Sequence, residues 1–463
     1  MVESTPYSFL KVSVWNASRG QFFMLLTRGL GLITSFLVLR TLSLYQFGLY
    51  QLILSVTIFI DSFDSGLYDD IVGNEIVRGV AEKRHSHAKR MFNEIFILKT
   101  AIGVISFAIL LFGAQLIAQH YGKDIASYLR IISAIVLLNA ILSVEGIVFK
   151  AGISFVAFGS ETLKEMVKLV FLGWFWLNGG FAIQEVLLAT VVAATVAFVY
   201  VTVFFIREYW RLFGGVVSEK AWLLIRLTRQ HGLWVILRYG VSKISKPMDI
   251  WLVRLFLSTE AVALYSFTIN LIAYIQTAFP DQVFTSFLPF EVHRAGRFEY
   301  LYRRIMKYLA WSGIATAAGA FFLVPIAVRI LFPQYLPAIP LFRVMLVTIP
   351  LYLVYKFQKS LLIVLREQRM LTMRLVTEMA LTGVLLIILL PLIGLYAIVV
   401  EFLVTYGWRV MLYLVYLPRK YPRLKLKAKH ILRFDRDDWE FFLRAVREGL
   451  NWKRWLGPIR IQV

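Results

Sequence analysis

Residues 95–118, IFILKTAIGVISFAILLFGAQLIA, are apolar almost without interruption and long enough to cross a bilayer. A spanning helix needs about 20 mostly apolar residues, because at about 1.5 Å per residue it must cover a hydrocarbon core about 30 Å thick. Outward from this segment the same test is met repeatedly. It predicts spanning helices near 17–40, 47–68, 95–118, 129–149, 166–184, 185–206, 233–257, 263–288, 308–331, 339–364, 371–391 and 394–417. The fifth and sixth are separated only by Asn178-Gly179-Gly180. The fold class that follows is all-α: a polytopic membrane protein with about 12 transmembrane helices in two six-helix lobes.

Composition agrees. Hydrophobic residues make up 59% of the 463 and charged residues 17%, against roughly 45–50% and 25% in a soluble domain. Mean hydropathy is +0.70. The absence of cysteine excludes disulfides and thiolate metal sites. Residues 1–14 do not read as a cleavable signal, because no small-residue cleavage site follows the first apolar run. The net charge of +22 sits mostly in short loops and in the last residues of the chain. That is the signature of membrane topology and not of nucleic-acid binding, so no nucleic-acid partner is expected.

The loops alternate in charge. Arg78, Lys83, Arg84, Lys89 and Arg90 fall in 69–93; Arg207, Arg211, Lys220, Arg226 and Arg229 in 207–230; Arg294, Arg297, Arg303, Arg304 and Lys307 in 289–307; and Arg366 and Arg369 follow helix ten. The loops at 41–46, 258–262, 332–338 and 392–393 hold no Lys or Arg, and only 119–128, with Lys123, departs from the pattern. The positive-inside rule then places both termini in the cytoplasm of a multi-pass protein of the inner (cytoplasmic) membrane. The outside loops are too short to form a domain that could hold an active site, so no enzyme activity is expected. Pro418 and Pro422 are expected to end helix twelve. A basic run follows (Lys425, Lys427, Lys429, Arg433), and then an amphipathic segment over 437–455 with Trp439, Phe442, Leu443, Val446, Leu450 and Trp455 near one face. Such a tail lies on anionic lipid or binds a partner.

An internal repeat supports two halves. An offset of 215 aligns Leu37-Val38 with Leu252-Val253, Leu42-Ser43 with Leu257-Ser258, and Leu49-Tyr50 with Leu264-Tyr265. It maps helix one onto helix seven in the same orientation and sets Arg28 against Lys243. The organisation read from this is an N-terminal six-helix lobe at 1–206, a cytoplasmic inter-lobe linker at 207–232, a C-terminal six-helix lobe at 233–417 and a basic amphipathic cytoplasmic tail at 418–463.

Three stretches resemble a known family. Thr27-Arg28-Gly29-Leu30-Gly31 followed by Leu42-Ser43-Leu44-Tyr45-Gln46-Phe47-Gly48-Leu49-Tyr50 is similar to the opening of the O-antigen-type polysaccharide flippases of the multidrug/oligosaccharidyl-lipid/polysaccharide exporter superfamily. Leu331-Phe332-Pro333-Gln334-Tyr335-Leu336-Pro337-Ala338-Ile339-Pro340-Leu341 resembles that family's outside loop between helices nine and ten. Pro391-Leu392-Ile393-Gly394-Leu395-Tyr396-Ala397 resembles its turn between helices eleven and twelve, with Tyr396 where the family's Gly-x-Gly-Ala pattern has its second glycine. The resemblance implies two lobes around a central cavity and alternating access. It implies transport of a polyprenyl-diphosphate-linked oligosaccharide to the outer leaflet for cell-surface polysaccharide (O-antigen-like) biosynthesis. Membrane lipids and polysaccharide assembly proteins are the further partners it implies. An ion-coupled drug or metabolite exporter of the same superfamily is the alternative. Peptidoglycan-precursor flippases usually carry two more helices, and a membrane polymerase or ligase needs a large outside loop.

Charges inside the membrane are costly, about 2.5–3.5 kcal/mol each on insertion scales, and so are candidates for function. Helix seven carries Arg238, Lys243, Lys246, Asp249 and Arg254 on one broad polar stripe around Pro247. With Arg28 of helix one these cations are the candidate diphosphate-binding residues: Arg28, Arg238, Lys243, Lys246 and Arg254. The alternative is that each snorkels or pairs locally, Lys246 with Asp249 for example, and that reading also fits Arg40, Lys356 and Lys359. Asp61, Asp64, Glu378 and Glu401 are the candidate ion-coupling acids, with Glu145 as another buried acid. A dehydrated carboxylate takes up a proton or binds Na⁺, and it pairs with a cation otherwise. No cofactor is expected beyond an H⁺ or Na⁺ gradient. His85 and His87 lie in a basic loop without a third metal ligand, and no phosphate-binding glycine loop, nucleophile elbow or zinc pattern occurs.

Topology is directly testable in this cysteine-free chain. Single cysteines at 85, 218, 296 and 440 should resist an impermeant thiol reagent in intact cells, and those at 45, 260 and 335 should react. Reversal at two or more of these sites would contradict the twelve-helix arrangement.

Overall fold

The computed structural model describes residues 6–60, 66–121, 125–152, 156–220, 223–224, 247–277, 288, 297–365 and 367–426. All regular structure among them is helical. The helices are α1 (Pro6–Thr41), α2 (Leu44–Ile60), α3 (Gly66–Ala81), α4 (His85–Tyr121), α5 (Ala126–Gly152), α6 (Val156–Leu177), α7 (Ile183–Phe213), α8 (Thr259–Thr277), α9 (Arg297–Leu331), α10 (Ile339–Met345), α11 (Thr348–Val364), α12 (Gln368–Ile393) and α13 (Tyr396–Lys420). A further helical stretch covers 247–256, before α8. Among the described residues, α4, α5, α7, α9, α12 and α13 are long and apolar enough to cross a membrane. The helical stretch Pro333–Met345 and α11 meet the same test as a pair bent by 56°, the form of a broken span or a re-entrant loop. Helix is what the apolar sequence demands, because hydrocarbon offers no hydrogen-bond partner to a backbone N–H or C=O.

Several boundaries differ from the sequence expectation, each for a local reason. Of the span expected at 47–68, residues 47–60 are in α2 and 61–65 lie outside the described residues, and much of the loop expected at 69–93 is helical, as α3 and the start of α4. On α3, Val72 and Ile76 are fully buried while Arg78 pairs outward with Glu82 at 2.8 Å. An apolar window therefore reads this amphipathic helix as loop. The span expected at 166–184 is α6, which begins ten residues earlier because its first turns carry Glu161, Lys164, Glu165 and Lys168. Pro418 does not end helix twelve: α13 runs through it to Lys420. Proline removes one backbone donor, and the next turn still closes with Tyr421 N–H on the Leu417 carbonyl at 2.7 Å. The turn at Asn178-Gly179-Gly180 falls where expected, its two glycines at φ 112° and 100°, values that L side chains rarely adopt. The basic and amphipathic tail at 427–463 lies outside the described residues.

The two copies of the repeat have the same backbone at their first junction. Leu42 N–H meets the Val38 carbonyl at 3.0 Å, and Leu257 N–H meets Val253 at 2.9 Å. Phe47 N–H meets Ser43 and Val262 N–H meets Ser258 in the same register. Ser43 accepts from Gln46 N–H at 3.2 Å while Gln46 Oε1 accepts from Ser43 N–H at 3.1 Å, a reciprocal cap that starts α2. Ser258 caps the start of α8 by accepting from Ala261 N–H at 3.1 Å.

The chain packs as two compact units. One contains Met1–Ala273, Phe322–Val344 and Arg369–Glu401; the other contains Tyr274–Phe321, Met345–Gln368 and Phe402–Val463. Within the first, the larger of two apolar cores joins Val38 and Leu42 of α1, Phe47 and Ile53 of α2, Leu110 of α4, Leu129 of α5, Val186 of α7 and Phe267 of α8 to Tyr335. Trp251 donates to Ser55 Oγ at 2.8 Å and meets Phe59 edge-on at 4.7 Å, which binds the stretch at 247–256 to α2. Residue 335, put forward from the sequence as an outside probe, is wholly buried here, and its neighbour Leu336, 38% exposed, is the better position. Within the second unit, Gly313 of α9 lies so close to Pro350 that a Cβ would be 2.6 Å from the Pro350 Cα. Tyr355 stacks on Tyr413 with centroids 6.0 Å apart, which joins α11 to α13.

The tightest approach is at Gly48, where a Cβ would stand 2.0 Å from the Thr259 carbonyl oxygen. Gly48→Ala should cost about 1–3 kcal/mol through forced separation of α2 and α8. Gly29→Ala, with nothing within 4 Å, should be neutral or stabilising, since alanine favours helix over glycine by about 1 kcal/mol. Thermal unfolding of the two variants in detergent checks the contrast.

Candidate functional site

Of the candidate diphosphate-binding residues, Arg28 and Arg254 are described; Arg238, Lys243 and Lys246 lie outside the described residues, as do the acids Asp61 and Asp64. Arg28 is exposed on α1. One residue before it, the Thr27 hydroxyl meets Thr162 of α6 at 2.7 Å, and Gly31 lets Glu165 approach to 3.9 Å of its Cβ position. The α1–α6 contact thus holds the helix that carries Arg28. Arg254 is half-buried, and on the same stretch Asp249 accepts from the Tyr265 hydroxyl at 3.1 Å. Arg40 is exposed and lies over the Phe36 ring at 5.8 Å. Lys356 donates to the Tyr352 hydroxyl at 3.1 Å, and Lys359 is half-buried.

The candidate acids fall into two kinds. Glu378 is ion-paired to Arg374 of its own helix at 2.6 Å, both largely buried. Glu401 and Glu145 are met by hydroxyls. Thr382 donates to Glu401 Oε1 at 2.5 Å, from α12 to α13. Thr202 of α7 reaches both oxygens of Glu145 of α5, at 3.0 and 3.3 Å. Glu145 is 2% exposed, and among the described residues the Thr202 hydroxyl is its hydrogen-bond partner.

Three groups went unread in the sequence. Lys99 on α4 is 1% exposed and donates to Ser143 Oγ at 2.8 Å. Arg374 pairs Glu378 as above. Arg409 on α13 lies over the rings of Tyr406 at 4.2 Å and Tyr355 at 5.1 Å. Each lies within a long apolar helix, and the i,i+4 spacing of Arg374 to Glu378 was the one signal available. His87, read as a solvated loop residue, lies in α4 and meets Glu219 at 3.2 Å. Among the described residues no group of three metal-binding side chains is present.

Outside the spans, Glu367 gathers the chain between α11 and α12. It accepts from Tyr421 and Tyr416 hydroxyls, each at 2.7 Å, and pairs with Lys420 at 2.6 Å. Burial pushes the carboxyl up, but Lys420 and the two hydroxyls outweigh it and hold its pKa below the ordinary value. The Tyr421 phenol is pushed up to about 12 by burial and by the adjacent carboxylate.

Long apolar helices with charges held among them are the architecture of a polytopic membrane protein. Solved structures agree on the fold. An inward-facing multidrug resistance MATE family transporter of the MOP superfamily matches 85% of this chain and 94% of its own, at 14% identity and TM-score 0.71. The lipid II flippase MurJ, in an inward closed conformation, matches over 95% and 99%, at 11% identity and TM-score 0.69. The MATE transporter VcmN of Vibrio cholerae matches over 90% and 99%, at 13% identity and TM-score 0.57. No curated protein matches the chain in sequence. The family model of polysaccharide biosynthesis proteins matches residues 22–290, more than half of the chain, and the chain belongs to that family. The match includes Arg28, Asp61, Glu145, Lys243 and Arg254 and stops before Glu378 and Glu401.

Because the Glu367 carboxyl is depressed in the folded state, its contribution is present above the ordinary carboxylate pKa of about 4.3 and is lost as pH falls through the lower folded value. Glu367→Gln should therefore melt below the wild type at pH 7, and the gap should close as the pH drops below about 4. Melting curves across that range decide it; an unchanged gap would contradict the role of the ionised carboxylate.

Proposed function

We propose that the chain is a flippase that carries a polyprenyl-diphosphate-linked oligosaccharide from the cytoplasmic to the outer leaflet by alternating access, for cell-surface polysaccharide biosynthesis of the O-antigen kind. The observation that carries this reading is the family match over residues 22–290 in a chain with a transporter's fold: polysaccharide biosynthesis calls on a transporter where a lipid-linked intermediate must change leaflet. The polyprenyl tail stays in hydrocarbon, while the sugar and diphosphate need a hydrated path lined by cations. Arg28, exposed on α1, and Arg254 are the described candidates, with Arg238, Lys243 and Lys246 completing the set proposed from the sequence. The Lys/Arg distribution supports cytoplasmic termini in the inner membrane, and the repeat supports lobes at 1–206 and 233–417 joined by the linker at 207–232.

Coupling is proposed to run through buried carboxylates, with H⁺ or Na⁺ as the driving ion. Glu145, met by a threonine hydroxyl, fits that role better than Glu378, whose charge is matched by Arg374, and Glu401 is kept as a candidate beside it. Asp61 and Asp64 remain in the proposal on their spacing of three residues in a spanning segment. The second reading, an ion-coupled drug or metabolite exporter, is favoured by the likeness to the MATE transporter fold.

The test is surface glycan, normalised to protein abundance, in cells lacking their native flippase. Arg28→Ala and Lys243→Ala should each lower it strongly, by roughly tenfold or more for a lost charge-assisted hydrogen bond. The double variant should fall short of the product of the two effects, because both cations act on one diphosphate. Wild-type glycan from the double variant would contradict the assignment.

A further inference from the structure

The C-terminal end of α1 is closed by a segment from the other half of the sequence. Gln334 Nε2 donates to the carbonyls of Leu39 at 2.7 Å and Leu42 at 3.0 Å. These are among the carbonyls that a helix leaves without a partner in its last turn, so one side-chain amide completes the end of α1. The residues around Gln334 seat the same segment by packing. The Phe332 ring meets Phe36 edge-on at 5.5 Å. Tyr335 stacks on Phe267 at 4.4 Å and meets Phe47 edge-on at 5.8 Å. Leu42, beneath them, is 0% exposed.

This closure contains one group that works against it. The Tyr335 side chain is wholly buried, and among the described residues nothing hydrogen-bonds its hydroxyl. A buried hydroxyl without a partner forfeits its hydration for nothing in return. The segment is therefore held by two hydrogen bonds from Gln334 and by ring packing, and loosened by the polar oxygen of Tyr335. An element meant only to pack would carry phenylalanine there.

We propose that Pro333–Ala338 is a releasable strap, which closes the end of the bundle at the Lys/Arg-free loops when seated and opens that end when lifted. Gln334 is its catch, and Tyr335 keeps the catch reversible. The proposal rests on the flippase reading for its use in transport, though not for its existence. A prediction of opposite signs follows. Removing the Gln334 donors should favour the lifted state, and removing the Tyr335 oxygen should favour the seated one.

The test uses Leu42→Cys in this cysteine-free chain, with an impermeant thiol reagent added to intact cells and Tyr45→Cys, 37% exposed, as the reference for a freely reacting position. Gln334→Met, which keeps the length of the side chain and loses the donors, should raise the rate of modification of Cys at 42 by roughly tenfold. Tyr335→Phe should lower it several-fold. Should Gln334→Met fail to reach the membrane, Tyr335→Phe decides alone, since it removes one oxygen and leaves the ring. Equal rates, or shifts of the same sign, would overturn the strap. In a second arm, Phe36→Cys with Phe332→Cys bridged by a short cleavable bifunctional thiol reagent should stop surface glycan export and restore it on cleavage; where the unbridged chain does restore glycan to cells lacking their native flippase, export at its full rate through the bridge would also overturn the strap. If the flippase reading is wrong, no variant affects glycan, while the labelling rates still move in opposite directions.

Discussion

A hydrocarbon interior cannot hydrogen-bond, and the rest of this structure depends on that. Every backbone group within a span must find its partner in the chain, which leaves helix as the solution for so long an apolar sequence. The same pressure acts on side chains. Thr57, Thr190 and Thr268 turn their hydroxyls back onto the carbonyls of Ile53, Val186 and Leu264, at 3.0, 2.7 and 2.8 Å. Charges obey it too, in two ways. Some are neutralised, as Arg374 by Glu378; others are met by a hydroxyl, as Glu145 by Thr202. The second kind is costly to keep in apolar surroundings, and that cost marks it for function.

What the sequence made legible was whatever hydrocarbon dictates residue by residue. The split at Asn178-Gly179-Gly180, the turn at Gly394 with φ 60°, and the long apolar helices α4, α7 and α12 follow from composition and from glycine's backbone freedom. Amphipathic helix was hidden from the same reading. On α3 the apolar residues occupy one face, and α6 carries four charged residues between 161 and 168, so an averaging window missed the first and slid along the second. Pro418 misled for another reason: a proline near a helix end loses one hydrogen bond, which the Glu367 cluster around Tyr416, Lys420 and Tyr421 readily offsets.

The candidate site was legible in kind and less so in arrangement. Counting intramembrane charges finds Arg28, Arg254, Glu378 and Glu401, but partners depend on which helices are neighbours, and a sequence does not state that. Glu378 finds its cation four residues away on its own helix, whereas Glu145 and Glu401 are met by threonines on other helices. The LFPQYLPA segment shows the same limit. It was read as an outside loop, and it is a short 3-10 turn whose Tyr335 lies in the core beside Phe47 and Phe267. Its burial comes from contacts nearly three hundred residues apart in the chain, such as Gln334 to Leu39.

Membership in the polysaccharide biosynthesis family and a fold shared with MATE transporters and MurJ are the background to the proposed cargo, an anionic, lipid-linked oligosaccharide. The most direct measurement is flipping by the purified chain in proteoliposomes loaded with a fluorescent polyprenyl-diphosphate oligosaccharide, read as the fraction of label that an impermeant quencher added outside can reach. The account predicts leaflet exchange with the wild-type chain, its loss in Arg28→Ala combined with Lys243→Ala, and no comparable movement of a cationic dye. Movement of the dye with the lipid-linked oligosaccharide left in place would contradict it.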